Sequence, residues 1–451
     1  MSILPLLALL SLAPAAGSPT CLDLPALLRL SIEQASAVAA GAQAQRAQAR
    51  AEEVRRLWIP RIEISTAGGP SPTIRCVPST AECIATTPSN LQIGFGGAFY
   101  RIDARLEMPL FTFGKLTAGR EASAAGARAG AAQAVQAQHA AAMDAARAYF
   151  AVKLGRELLL MLEEGRSKVQ AEVNRQARAL RDGQGEVTEA DYRRLLTLLA
   201  EIEARTAEAR RVEGSGLAGV HYVTGEADLD VDSDPLLPFA FSLPERRAVR
   251  RAAEKRPERQ AARAGAEAAL RLAELERAGW WPDLILIGGG TLARSTSVDH
   301  PHHAFMVDPF NMTSGLLGLY LRWSPELGVR AAKVAGAEAE QARAEATVRM
   351  AQDGTAAEAE RAWAEAQDAR DRLAAARRGE RHSQAWLTSL VQAEVAGLVE
   401  SSDLADALMQ YFMMRARSLQ ATFDWNVGVM AVQRTTGNLP QAGPYATEDE
   451  A

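Results

Sequence analysis

The chain says nearly the same thing twice, and that repetition restricts its folding more than any other feature. Trp58-Ile59-Pro60 recurs as Trp280-Trp281-Pro282, Phe113-Gly114 as Leu327-Gly328, and Ala148-Tyr149 as Ala362-Trp363. Gly185 and Asp191 recur as Gly397 and Asp403, and Thr224-Gly225 as Thr436-Gly437. By subtraction the offsets are 222, 214, 214, 212 and 212. One tandem duplication followed by a few loop deletions leaves that small, one-directional drift. Each copy is too long for a solenoid unit, so the two are expected to build one pseudo-symmetric body.

Each copy reads as mostly helix. Ala, Glu, Gln, Arg and Leu dominate 114–182 and 328–395, where Pro is nearly absent, the composition of long helices. A helix over 114–181 would run on the order of 100 Å at 1.5 Å per residue. Helices so poor in large side chains build no thick core; they are expected to lie side by side with close backbone approach at small residues. Asp182-Gly183-Gln184-Gly185 ends the first long helix, and a return helix over 186–223 follows, closed by Thr224-Gly225. The second copy repeats the layout: a long helix over 328–395, a break at Ala396-Gly397, and a return helix over 398–436. A helix over Leu24–Leu57 precedes the first strands, and one of about 38 residues precedes Pro282, which ends it.

Between these helices the period changes. Tyr100, Ile102, Ala104, Leu106 and Met108 alternate with Arg101, Asp103, Arg105 and Glu107, a period of two with one apolar and one charged face. In a water-soluble protein the apolar face would meet a core. In an outer-membrane barrel it would meet lipid, with the charged face on a water-filled lumen. Ile62-Glu63-Ile64 starts a shorter partner, and a phase slip near Phe99 suggests a bulge. Leu284–Ile287 and Leu317–Trp323 supply the matching pair in the second copy. The hairpins are therefore expected over 61–110 and 283–323. Four strands cannot close a membrane barrel, so a lipid-facing sheet requires oligomerisation to satisfy its edges. Trp58, Trp280, Trp281, Trp323, Phe111 and Phe113 flank the strands, either as an interfacial aromatic belt or as packing at a helix-strand junction.

Ile3–Leu12 is an apolar run followed by small residues, so 1–17 is expected to be a signal peptide. No other apolar run approaches the ~18 residues of a spanning helix. Cys76 and Cys83 stand seven apart in a Pro/Thr/Ser-rich loop and are expected to form a disulfide. Cys21 follows Ser18-Pro19-Thr20, a poor match to the motif of a lipidated N-terminus. The first repeat spans 18–225, an acidic linker 226–243, the second repeat 244–437, and a disordered tail 438–451. A net charge of -5 with interspersed basic residues gives no reason to expect nucleic acid.

Other signals have ordinary readings. Gly114-Lys115-Leu116-Thr117 echoes the end of a phosphate loop, but Pro109 stands where that motif needs glycine. His300, His302 and His303 crowd one loop tip, and Met409, Met413 and Met414 have helical spacing suited to packing. No nucleophile, metal or cofactor constellation emerges, so no catalytic residue, metal or cofactor is assigned, and no enzymatic activity.

Taken together, the pattern resembles the TolC family of outer-membrane efflux proteins. The carriers are the duplication, RLEMPLFTFGKLTAGREASAA from Arg105, AARAYFAV from Ala145, AAEKRPERQAARAGAEAAL from Ala252, and both Thr-Gly repeat ends. The resemblance implies an α+β membrane protein: a homotrimer in which four strands per chain build a shared 12-stranded outer-membrane β-barrel, continued by a long periplasmic α-helical barrel. It implies an exit duct for efflux or type I secretion, passive and gated at its periplasmic tip, served by a periplasmic adaptor and an inner-membrane pump. By the same resemblance Gly185, Gly397 and Leu398 mark adaptor-docking tips, although Glu186 stands opposite Leu398. Asp403 and Asp406, with Asp191 as the first-copy counterpart of Asp403, mark the gate. Asp403 and Asp406 share a helix face, and threefold symmetry would stack them in two rings that attract cations. Asp403 also suits a helix cap, and the two roles are compatible. Arg194 stands opposite Asp406, so the first copy lacks the second carboxylate. The alternative is a periplasmic coiled-coil adaptor or structural protein without channel activity, whose strands would form a soluble domain.

Overall fold

A computed structural model describes residues 20–76, 91–182, 188–298, 308–395 and 401–446. In chain order the elements are β1 (Thr20–Leu22), α1 (Leu24–Ser31), α2 (Ala35–Arg56), β2 (Arg61–Cys76), β3 (Leu91–Phe111), α3 (Lys115–Asp182) and α4 (Glu189–Thr224). The second half continues with β4 (Leu229–Val231), α5 (Arg246–Ala252), a 3-10 turn at Ala253–Lys255, α6 (Pro257–Ala278), β5 (Asp283–Ser295), β6 (Met312–Arg322), α7 (Leu327–Val395) and α8 (Ser401–Thr435). Two compact units result. One comprises Met1–Ala44, Gly130–Ala262 and Val348–Ala451, the other Gln45–Ala129 and Arg263–Thr347.

Both helices read as continuous before the strands are interrupted, each for a local reason. Between α1 and α2, the Ser31 hydroxyl donates to the Leu28 carbonyl at 2.8 Å, and the Gln34 side chain accepts from the Ser36 amide at 3.1 Å. Side chains thus replace the helical ladder on both sides of the break. Before α6, Pro257 disfavours helical geometry at Arg256, which is extended at φ -60°, ψ 143°. Pro257 then opens α6, where its missing N–H costs nothing.

The unit that holds the strands is built on one antiparallel sheet of order β2-β3-β5-β6. Register sorts its side chains by chemistry. Ile62, Leu106 and Leu317 share one face with Ile64 and Ile102, while Glu63 and Arg105, then Ser65, Asp103, Thr291 and Ser314, share the other. The expected bulge lies at Gly96, where the partner of Ser71 is Gly97 and that of Pro72 is Phe95. The apolar face is bare: Ile64 is 67% and Leu317 73% exposed. On the polar face Asp103 accepts two bonds from Arg101, at 2.7 and 2.9 Å, and a third from Thr291 at 2.7 Å. At the start of α3, the Lys115 amine donates to Asp283 at 2.8 Å and to the Trp281 carbonyl at 2.7 Å. Phe113 stacks on Trp281 with centroids 5.7 Å apart, and Trp323 donates its indole N–H to the Trp280 carbonyl at 3.1 Å.

The other unit holds the main core. Leu24 and Leu27 of α1, Phe150 and Val152 of α3, Val220 of α4, and Trp425 and Met430 of α8 are buried together. Close backbone approach replaces side-chain bulk between α3 and α4: a Cβ on Gly155 would stand 2.6 Å from the Glu213 nitrogen, and one on Gly216 2.7 Å from the Val152 nitrogen. The segment joining the repeats is strapped to this core. β4 pairs in parallel with β1, Tyr149 donates to Asp232 at 2.6 Å, and Lys153 bonds both Asp232 and the Asp234 carbonyl. Asn426 clamps the same segment through the Leu237 carbonyl and the Phe239 amide, each at 2.8 Å. The tail expected to be disordered from 438 is ordered to Ala446. Ala240 donates to the Pro444 carbonyl, Ala446 to that of Pro238, and Tyr445 stacks on Phe239 at 5.1 Å. A short polar segment is held there because the linker offers it unpaired backbone groups and an aromatic face.

Candidate functional site

The carboxylates expected at the gate lie in the return helices that follow the two long helices. Residues 183–187 and 396–400 fall outside the described residues, and with them Gly185, Gly397 and Leu398. The same holds for Cys83, for His300, His302 and His303, and for the side chain of Cys76, so the disulfide reading stays an expectation. Described on either side are the ends of α3 and α7 and the first turns of α4 and α8.

The three carboxylates have three different surroundings. Asp191 is the third residue of α4 and closes a capping box. Its amide donates to the Thr188 hydroxyl at 3.2 Å, and its carboxylate accepts from the Thr188 hydroxyl at 2.6 Å and amide at 3.2 Å. These bonds hold its pKa below the ordinary range. Asp406, one turn into α8, pairs with Arg194 of α4. Asp403 lies exposed in the first turn of α8, where the helix dipole favours a negative charge. It has no ion pair among the described residues.

Arg194 and Asp406 are equivalent positions of the two repeats, separated by the same offset of 212 by subtraction as Asp191 and Asp403. The charge difference between the copies is therefore a bond: where the copies disagree, they meet. Sequence comparison located both residues but gave Arg194 only as a missing carboxylate. The pair is half exposed at 50% and 46%, so it is worth no more than about 1 kcal/mol. Beneath it, Val169 and Val173 of α3, Leu195 and Ile202 of α4, and Ala405 and Leu408 of α8 form a small apolar cluster. The start of α8 is thus held against α3 and α4 by this small cluster, the Arg194–Asp406 pair and a pair between Arg415 of α8 and Glu164 of α3 at 3.1 Å.

Two ionic anchors were not legible at all. Arg256 is 1% exposed and bonds Glu258 at 2.6 Å and Glu358 at 2.6 Å, with Arg434 approaching both carboxylates. Arg156 holds Glu213, Asp230 and the Val231 carbonyl. Each joins positions far apart in sequence, and no local spacing announces them.

The chain thus combines a duplication, two long helices with return helices, and a four-stranded sheet with one bare apolar face. Residues 248–438 match the family model described as outer membrane efflux protein. That match covers most of the second repeat. Solved structures extend the likeness to both repeats. The Neisseria gonorrhoeae MtrE outer membrane channel in its open state superposes with a TM-score of 0.73 at 17% identity, over 94% of this chain and 91% of that one. The Vibrio cholerae outer membrane protein VceC gives 0.72 at 15%, covering 93% and 97%. The Campylobacter jejuni CmeC outer membrane channel gives 0.73 at 14%, covering 92% and 85%. No curated protein matches this chain in sequence. At these identities the superpositions establish a shared fold, that of the TolC-like channels.

Proposed function

We propose that this chain is the passive exit duct of an efflux or type I secretion assembly, resident in the outer membrane and reaching into the periplasm. The carrying observation is the sheet: one face exposes Ile62, Ile64, Leu317 and Leu319, and the opposite face carries Glu63, Arg101, Asp103, Arg105 and Glu107. Such a sheet suits lipid on one side and water on the other. Its outer strands β2 and β6 need partners inside a bilayer. Three chains supplying twelve strands would satisfy them, and this homotrimer is the assembly we propose. A periplasmic adaptor would dock at the turns around Gly185, Gly397 and Leu398 and connect the duct to an inner-membrane pump. Energy then comes from the pump, and the duct contributes gating.

Asp403 and Asp406 are the proposed gate carboxylates. Asp191 shares in it chiefly by fixing the start of α4, since both its oxygen-side bonds and its amide are committed to Thr188. Arg194 is the latch that couples α8 to α4. Because the latch is half exposed, adaptor docking has only a small energy to overcome there.

The test is electrical. Purified protein in planar bilayers is expected to conduct, with cation preference, and Asp403→Asn with Asp406→Asn should reduce that preference. Arg194→Ala should raise open probability by up to about fivefold, the equivalent of about 1 kcal/mol. Conductance with selectivity untouched by the double substitution would sink the gate assignment, and no conductance at all would sink the duct.

A further inference from the structure

Between α3, α4 and α8 lies a cavity of about 520 Å³, a size within the range of small-molecule sites. Its lining is apolar below and charged at the rim. Met161, Val169 and Ile202 are buried in its floor, and Leu198, Leu408 and Phe412 continue the surface. Gly165 sets the shape of the α3 wall. A Cβ there would stand 3.1 Å from the Phe412 ring, so the missing side chain lets that ring lie against the helix backbone. Met409 and Met413 stand partly exposed at the mouth, flexible thioethers that adapt to varied apolar shapes.

The rim charges are unbalanced. Arg205 is committed to both rim carboxylates, bonding Glu201 at 2.8 Å and Glu208 at 3.0 Å. Arg211 and Arg417 also line the cavity and have no carboxylate partner among the described residues. Three guanidinium groups against two carboxylates leave a net charge of one positive at the rim. A guanidinium without a partner above an apolar floor selects for an anion attached to something greasy, because its fork takes carboxylate or phosphate oxygens in pairs.

We infer that this cavity binds an amphiphile with a single anionic head, its apolar body over Phe412 and Met161 and its head between Arg211 and Arg417. The site lies within one compact unit and does not depend on the duct reading. A loss of conductance would leave it standing, and its failure would leave the duct standing.

The experiment is photolabelling of the full-length protein, purified and transferred to amphipol so that no anionic detergent competes. The probes are dodecanoic acid, dodecyl phosphate and dodecanol, each carrying a mid-chain diazirine. The acid or the phosphate is expected to place adducts on the segments of α3, α4 and α8 that line the cavity. The relative yields of the two then report which head group is preferred. Labelling should fall about tenfold with the alcohol, and as far with the acid on Arg211→Glu/Arg417→Glu. Ala416→Phe fills the cavity without touching its charge and should abolish these adducts, with thermal melting confirming that each variant is folded. Equal labelling by acid and alcohol, adducts only elsewhere in the chain, or adducts that survive Ala416→Phe would overturn the site.

Discussion

Arg256 and Gly155 show how much of this fold rests on single positions. Removing one partner from a buried ionic group leaves the others unpaired, which costs about 3–5 kcal/mol, so Arg256→Met should lower the unfolding temperature sharply. Arg128, whose bond to Glu267 is exposed on both sides, is the control: Arg128→Met should cost no more than about 1 kcal/mol. Burial works against ionisation of Glu258, but the bidentate bond from Arg256 outweighs it and holds the carboxyl below its ordinary pKa. A carboxylate depressed in the folded state contributes stability above its unfolded value of about 4.3, and that contribution is lost as pH falls through the lower folded value. Acid titration of the unfolding temperature should therefore show a loss beginning near pH 4, shallower in Glu258→Gln. Gly155→Ala forces a methyl group into the Glu213 backbone and should cost about 1–3 kcal/mol. Gly214→Ala, where a Cβ meets nothing within 4 Å, should be neutral or stabilising by about 0.5–1 kcal/mol. The small residues that permit the α3–α4 approach were visible in the composition. The partners of Arg256 were not, because Glu358 is about a hundred residues away and charged residues are common on every helix here.

The individual elements were legible wherever one local force dominates. Absence of Pro over seventy-odd residues gives helices of 68 and 69 residues at α3 and α7, and strict alternation gives β3. Where two local forces compete, reading by period missed the outcome: the continuous helix expected before Pro282 is divided at Arg256-Pro257, and the one before Pro60 at Ser31 and Gln34. The order of the tail was missed for a further reason. The tail bonds backbone to backbone with the linker, and the linker is in turn held by side chains elsewhere in the chain, Asn426, Trp425 and Lys153; composition carries no trace of that. At the start of α4 the sequence Thr188-Glu189-Ala190-Asp191 is a capping pattern, and it takes up the carboxylate first read as a gate. Thr188→Ala should destabilise that first turn by about 1 kcal/mol. Hydrogen exchange of the α4 N-terminal amides should then accelerate about fivefold, with the α8 amides unchanged. Equal acceleration in both helices would mean that the caps, and not the Arg194–Asp406 pair, set the coupling between them.

Duplication and sheet together set what the whole molecule has to do. No helix among the described residues is long and apolar enough to cross a membrane, whereas the sheet exposes an apolar face of the kind that suits lipid. Two hairpins, one from each repeat, join through β3 and β5 into a single sheet, and the repeat thereby doubles the strand count of one chain without closing it. The unpaired edges of β2 and β6 are an aggregation hazard in water, and in lipid each unpaired group costs several kcal/mol. Both problems vanish if β6 of one chain meets β2 of the next and three chains close the circuit. Fractionation should therefore recover the protein only with detergent, and native mass measurement in a mild neutral detergent should give three copies. Pro at Ser65 or Ser314, inside the edge strands, should reduce the trimer yield, because it removes a backbone donor that a neighbouring strand requires. A protein released without detergent as a single copy would instead place its apolar sheet face against a core that the described residues do not supply. It would return the chain to the adaptor reading, with the strands as part of a soluble domain.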